Sequence, residues 1–286
     1  MTPANQVHPL SIQNNVGDAL RFVRANLRTL AIAAAAGAGA VGVLTLLALA
    51  VPLFAVLLNP LTTLIDAAAY TAFLALALAT HWRAQDAGRV WAAMVVVGFF
   101  LAIVTFVLVF PVSIILGAML SPYASDFQSV GADQAAAMAL MMRIAEENPL
   151  PLILAGLVFA LAWLLLTSRL YLAAPATLDR RRILTFETWR WTKGHMLRIT
   201  GARLLVLGPA YVLFTALTLL ASRVVGVDIF SPESTVAFAT AAPVGYAALV
   251  FLTQAIKYLI YLSLEAGLSV ALYRTLAPPV AATHFQ

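Results

Sequence analysis

The stretch TFETWRWTKGHMLRI, Thr185 to Ile199, decides the fold. It sets Phe186, Trp189 and Trp191 among Arg190, Lys193 and Arg198, follows the cluster Arg180, Arg181 and Arg182, and leads into a long apolar segment. Aromatic rings interleaved with cations at the edge of an apolar run suit the boundary between bilayer and water, where both residue types have one wet and one dry end. The spacing predicts an amphipathic helix over about 183–194, lying on the inner face of a membrane, with membrane-crossing helices placed around it.

Composition agrees with that setting. The chain has 286 residues, of which 63% are hydrophobic and only 10% charged, and its mean hydropathy is +0.94, far from a soluble domain. A net charge of +5 does not point to nucleic acid, because the cations punctuate apolar runs and form no patch on a soluble surface. Cysteine is absent, so disulfides and thiolate chemistry are excluded. Arg21, Arg24 and Arg28 precede an apolar run containing the A-x-A triplet Ala48, Leu49, Ala50. That run extends to Leu58, longer than a signal-peptide core of roughly 7 to 15 residues, and reads as a crossing helix instead.

Taken in order, residues 1–15 are polar, with Pro3 and Pro9, and read as a flexible N-terminus. Val16, Leu20, Val23 and Leu27 form one helical stripe away from Arg21, Arg24 and Arg28, which predicts an interfacial helix over about 16–27. Six crossings follow within a single domain over 16–275: about 29–58, ended by Asn59 and Pro60, then 61–80, 90–120, 150–171, 199–221, and a last segment beginning near Pro243 and reaching Arg274. A helix over about 133–147, from Asp133 to Glu147, presents Met138, Met141, Met142 and Ala145 on one face and is expected to rest on the opposite membrane surface. Residues 276–286 read as a C-terminal tail. The predicted class is all-α: a polytopic integral membrane protein with six transmembrane helices, interfacial amphipathic helices and a possible internal repeat.

The cations orient it. With six crossings, fourteen Lys and Arg residues fall on one side and only Arg143 and Arg223 on the other, which predicts both termini in the cytoplasm, in a bacterial inner membrane.

Two offsets suggest duplication. A shift of 169 sets Asp18 on Glu187, Leu20 on Trp189, Arg21 on Arg190, Phe22 on Trp191, Arg24 on Lys193, Leu27 on Met196 and Leu30 on Ile199. A shift of 191 sets Tyr70 on Tyr261, Trp82 on Tyr273 and Arg83 on Arg274. Either the chain holds two related units, each a surface helix followed by a helical hairpin, or interfacial chemistry has converged.

Three ionisable residues lie inside expected crossings, where charge is costly and usually faces a partner or water. Glu265 is nine residues from the inner anchor Arg274, about 13 Å deep at 1.5 Å per residue. Asp66 and Lys257 each stand seventeen residues from their arginine anchors, about 25 Å deep, and coincide under the 191 shift. They are expected to meet across the second and sixth crossings, while Arg203 or Arg169 is expected to reach Glu265. Two readings stay open for this set: a polar pathway or headgroup pocket, or structural pairs with snorkelling side chains. For Arg180, Arg181, Arg182, Trp189, Arg190, Trp191 and Lys193 the readings are lipid-headgroup binding or ordinary anchoring, and the two grade into each other.

Gly37, Gly39 and Gly42 spell G-x-G-x-x-G, but no strand precedes them and the surroundings are apolar, so close helix packing explains them better than a dinucleotide. His8, His81, His195 and His284 are scattered without metal-ligand spacing, and no nucleophile or Walker motif occurs. No catalytic, cofactor-binding or metal-binding residue is expected, and no cofactor.

From Ser168 to Ile199, SRLYLAAPATLDRRRILTFETWRWTKGHMLRI, the chain resembles the membrane domain associated with bacterial glycerophosphodiester phosphodiesterases and related six-helix membrane proteins. The cue is an arginine-bearing helix end, a small-residue and proline turn at Ala173, Ala174 and Pro175, and an amphipathic segment ending in Lys193 and Gly194. The catalytic domain of those enzymes has no counterpart here, so the resemblance implies an accessory role without hydrolysis. The expected function is a non-enzymatic membrane accessory or scaffold that associates with membrane lipids, a protein partner or its own copies, and not with nucleic acid. The alternative is a small transporter or flippase with a polar site around Glu265.

Overall fold

The computed structural model describes residues 11–131 and 134–278, and no strand occurs among them. Its helices are α1 (Ile12–Ala50), α2 (Pro52–Leu78), α3 (Ala84–Leu120), α4 (Ala124–Val130), α5 (Gln134–Glu147), α6 (Pro149–Arg169), α7 (Ala173–Arg180), α8 (Glu187–Trp191), α9 (Met196–Val225), α10 (Pro232–Ala241), α11 (Pro243–Ile256) and α12 (Ser263–Leu276). A π-helical segment, Lys257–Leu262, joins the last two. Among the described residues six helices are long and apolar enough to cross a membrane: α1, α2, α3 with its short continuation, α6 with α7, α9, and α11 with α12. The protein is therefore an all-α polytopic membrane protein.

The sequence read one domain over 16–275, but the chain forms two compact units, residues 1–96 with 168–286, and residues 97–167. The shorter unit keeps the α3 phenylalanines Phe99, Phe106 and Phe110 exposed, as expected of surface against lipid rather than core. Within it, α5 packs on α4, with Leu140 and Ile144 buried while Met138, Met141 and Met142 stay exposed. Arg143 ties α5 to α4 at 2.7 Å from Asp126. Asp133, expected to open this helix, lies outside the described residues.

In the larger unit α1 runs along α2, α11 and α12, and α2 also contacts α12 and α7. Between helices in lipid there is little hydrophobic gain, so close van der Waals approach of small residues does the holding. Ala34, Ala38, Ala67 and Ala69 are buried along these seams with Phe73, Leu74 and Tyr258. A Cβ on Gly37 would stand 2.9 Å from the Tyr258 ring, and one on Gly42 would stand 3.5 Å from the Ala247 carbonyl oxygen, whereas Gly39 has nothing within 4 Å. Two glycines of the G-x-G-x-x-G triplet thus serve helix packing.

Several boundaries differ from the expectation. The first helix break falls at Val51, not at Asn59 and Pro60. Val51 is extended (φ −133°, ψ 116°), the conformation a following proline imposes, and Pro52 starts α2. Pro60 stays within α2. The segment 16–27 is no separate surface helix but the continuous first part of α1, which starts at Ile12 behind the Ser11 cap, inside the stretch expected to be flexible. Its protein-facing residues are Asn15, Ala19 and Leu30, while Leu20 and Leu27 point outward. Ala173, Ala174 and Pro175 do not turn the chain; they open α7, which is buried from Ala173 to Leu178, and proline is tolerated there because a first-turn N–H has no helical partner anyway.

The expected helix over 183–194 shrinks to α8. Thr192 to His195 form turns, and Gly194 adopts φ 82°, a conformation that costs other residues about 1–2 kcal/mol. Under the 169 shift Gly194 corresponds to Ala25, which lies inside α1. The two matched stretches therefore differ in shape: one is unbroken helix, the other α8, a turn and α9.

Candidate functional site

Two polar groups sit inside the larger unit. In the first, Lys257 Nζ lies 2.8 Å from Asp66 Oδ2, and the Tyr258 hydroxyl donates to Asp66 Oδ1 at 2.5 Å. These are residues 191 apart, the pair expected from their common offset and depth. Both charges are mostly covered, 31% and 24% exposed, and Tyr258 is fully buried. The π segment begins at Lys257, so the wide turn carries both Asp66 partners. Such turns are rare in helices and recur at functional positions.

The second group surrounds Glu265. Arg203 and Lys257 are the cations in its electrostatic surroundings, and Tyr70, Tyr171 and Tyr261 feel its charge. The expected ion pair does not form: among the described residues no cation lies within 4.0 Å of the Glu265 carboxylate. Arg203 is instead held by Ser168, whose hydroxyl accepts from its Nη1 at 2.9 Å, and its guanidinium lies over the Tyr171 ring at 4.6 Å. Ser168 also accepts from the Thr200 hydroxyl at 2.9 Å, and the Tyr171 hydroxyl donates to the Glu265 backbone oxygen at 3.4 Å. Tyr70 and Ser269 exchange a hydrogen bond of 3.2 Å. Arg169 points elsewhere, its guanidinium 4.8 Å from the centre of the Trp189 ring. Depth along a helix does not say which face a side chain takes, so sequence distance alone could not decide between these partners.

The third set lies where α6, α7, α8 and the start of α9 meet. Trp191 packs 6.2 Å from Tyr273 and beneath Arg180, whose guanidinium is 5.7 Å from its ring centre. Arg180 donates to the Tyr273 oxygen at 3.3 Å and to the Pro278 carbonyl at 2.6 Å, while the Tyr273 hydroxyl donates to Asp179 at 2.6 Å. Arg180 is thus a structural tie, its side chain only 18% exposed. Thr177 closes the next turn by accepting from the Leu184 N–H at 3.0 Å. Arg181 sits at that turn with φ 51° and is exposed. Arg182 is also exposed, 3.2 Å from Glu187, and an exposed pair of this kind contributes at most about 1 kcal/mol. Arg190 and Lys193 are exposed too.

Sequence reading missed Tyr171, Tyr258, Ser168, Thr200 and Tyr273. A signal existed for part of this set: Tyr258, Tyr261 and Glu265 follow one another at three- and four-residue spacing in a segment that must cross lipid. Among the described residues no group of three or more histidine, aspartate or glutamate side chains is placed to hold a metal ion. No protein-family model, no curated protein and no solved structure matches the chain.

Proposed function

We propose that this integral membrane protein is a lipid-associated accessory of a bacterial inner membrane, non-enzymatic, with both termini in the cytoplasm. One observation carries the reading: Trp189 and Trp191 are fixed by cation–π stacking against Arg169 and Arg180, beside a surface where Arg181, Arg182, Arg190 and Lys193 stay exposed. A rigid aromatic platform flanked by exposed cations, of which only Arg182 has a carboxylate partner among the described residues, suits the headgroup layer, and each exposed cation adds about 1 kcal/mol of attraction to an anionic leaflet. The charge asymmetry supports the orientation, and the resemblance over Ser168 to Ile199 supports an envelope role without hydrolysis. Native mass spectrometry of the purified protein is expected to show anionic lipid enriched over zwitterionic lipid. That enrichment should fall several-fold in an Arg181→Gln, Arg182→Gln, Arg190→Gln variant, and a wild type without enrichment would sink the reading.

A second reading rests on a separate observation: Glu265 lies in a crossing, its backbone oxygen accepting from the Tyr171 hydroxyl at 3.4 Å, with no ion partner within 4.0 Å of its carboxylate among the described residues. An intramembrane carboxylate so placed suits a small transporter or flippase. Proteoliposome flux is the discriminating measurement. Flux that Glu265→Gln abolishes would replace the accessory reading with transport; no flux in either protein is the expected result.

A further inference from the structure

A cleft of about 560 Å³ opens beside the platform, lined by Arg169, Lys193, Gly194, Met196, Leu197 and Arg198. Three of its six lining residues are cations and none is acidic. Among the described residues none of the three is within 4.0 Å of a carboxylate, so the cleft carries uncompensated positive charge. That contrasts with Arg21, Arg89, Arg143, Arg182 and Lys257, each of which has an acidic neighbour.

The walls are built rather than incidental. Arg169 is oriented by its stack on Trp189, and the Thr192 hydroxyl donates to the Arg169 carbonyl at 3.0 Å, tying the end of α6 to the turn before α9. Gly194, at φ 82°, lies in the turn between α8 and α9 with open space where a side chain would stand, so nothing fills the cleft at that point. Met196 and Leu197 supply an apolar floor, and Leu197 is 73% exposed. Met196, Leu197 and Arg198 are also the first three residues of a thirty-residue helix with no side-chain cap. Their N–H groups add to the positive field that the cations create.

Cations around an apolar floor at a membrane boundary select an amphiphile with a negatively charged head. We propose that this cleft is a discrete site for one anionic glycerophospholipid, its phosphate between Arg169, Lys193 and Arg198 and its glycerol and upper acyl chain over Met196 and Leu197. The proposal rests on the lipid-associated reading above but is narrower: it assigns one lipid to one cleft, where general surface attraction would spread over the whole platform.

The test uses the full chain in detergent, titrated with phosphatidylglycerol and, separately, phosphatidylcholine, with stoichiometry and affinity read by native mass spectrometry. One phosphatidylglycerol is expected to bind more tightly than any later one, and phosphatidylcholine should not take its place. Lys193→Gln with Arg198→Gln should weaken that first event about thirty-fold, on the order of fivefold per cation. Both side chains are exposed, so folding should survive, and an unchanged unfolding midpoint checks this. Leu197→Ser, which keeps every charge, should weaken the same event a few-fold. The variant lacking Arg181, Arg182 and Arg190 should leave it intact while losing later lipids. Equal loss in the cleft and platform variants would overturn the discrete site and leave the broader reading standing. Wild type without anionic preference would overturn both. Displacement of the lipid by millimolar glycerol phosphate would show a site for soluble phosphate esters and overturn the lipid assignment.

Discussion

Replacing Gly267 with leucine is expected to leave little folded protein. Gly267 is buried in α12 where it crosses α1, and a Cβ there would stand 2.8 Å from Phe22 Cδ1, 3.2 Å from Ala19 Cα and 3.3 Å from the Ala19 carbonyl oxygen. The phenylalanine ring has rotamers to move into, but the Ala19 backbone can retreat only if the whole helix does. Gly267→Ala should therefore lower stability by about 1–2 kcal/mol, its better helix propensity offsetting part of the clash. Leucine must separate the helices, at a cost of about 3 kcal/mol or more, with lost contacts all along the seam. Gly39→Leu is the control, since nothing lies within 4 Å of that position. Thermal unfolding in detergent reads all three. A Gly267→Leu midpoint equal to wild type would mean that α1 and α12 are not pressed together at this glycine.

Asp66→Ala is the second large effect. The substitution strands Lys257 inside the bundle and removes the acceptor of the buried Tyr258 hydroxyl in one step. Removing one partner of a fully buried ion pair costs about 3–5 kcal/mol, and the partial exposure of these two side chains lowers the expectation to about 2–3 kcal/mol. Lys257→Ala should cost less, because Asp66 keeps its tyrosine. The double variant should be more stable than the sum of the two losses implies, giving a favourable coupling of about 1 kcal/mol or more in the cycle. Additive losses would show that the contact contributes nothing to stability. Exchanging the residues, Asp66→Lys with Lys257→Asp, is expected to recover the ion pair but not the tyrosine bond.

The crossing helices were legible because the bilayer imposes a length and the charges delimit it: runs of some 20 apolar residues between arginines admit little else. The Asp66 and Lys257 contact was legible for a related reason, since equal distance from two arginine anchors means equal depth. What depth leaves open is azimuth. Glu265 and Arg203 share a region of the bundle, yet Ser168 and Tyr171 hold the guanidinium, and neither partner is visible from spacing. The first helix break shows a different ambiguity: Pro52 and Pro60 are both plausible stops, and only the backbone of Val51 shows which one ends a helix. Helix α7 was hidden because it has only eight residues and carries Pro175 at its third position, which reads as a turn; it is held by the helices that bury it. The segment over 183–194 kept its aromatic and cationic composition but not its helix, because Gly194 and the Thr192 hydroxyl favour turns over continued winding.

The single extended residue between α1 and α2 limits how the two helices can move once folded. Helix α1 has 39 residues and α2 has 27, and Val51 alone joins them. One peptide unit spans about 3.8 Å, so the end of α1 and the start of α2 cannot draw apart by more than a residue's length. Sliding of one helix along the other is therefore blocked at this end, and relative motion of the pair reduces to a bend about Val51. A loop of several residues would have let the helices shift in register; this linkage makes them a lever with one fixed fulcrum.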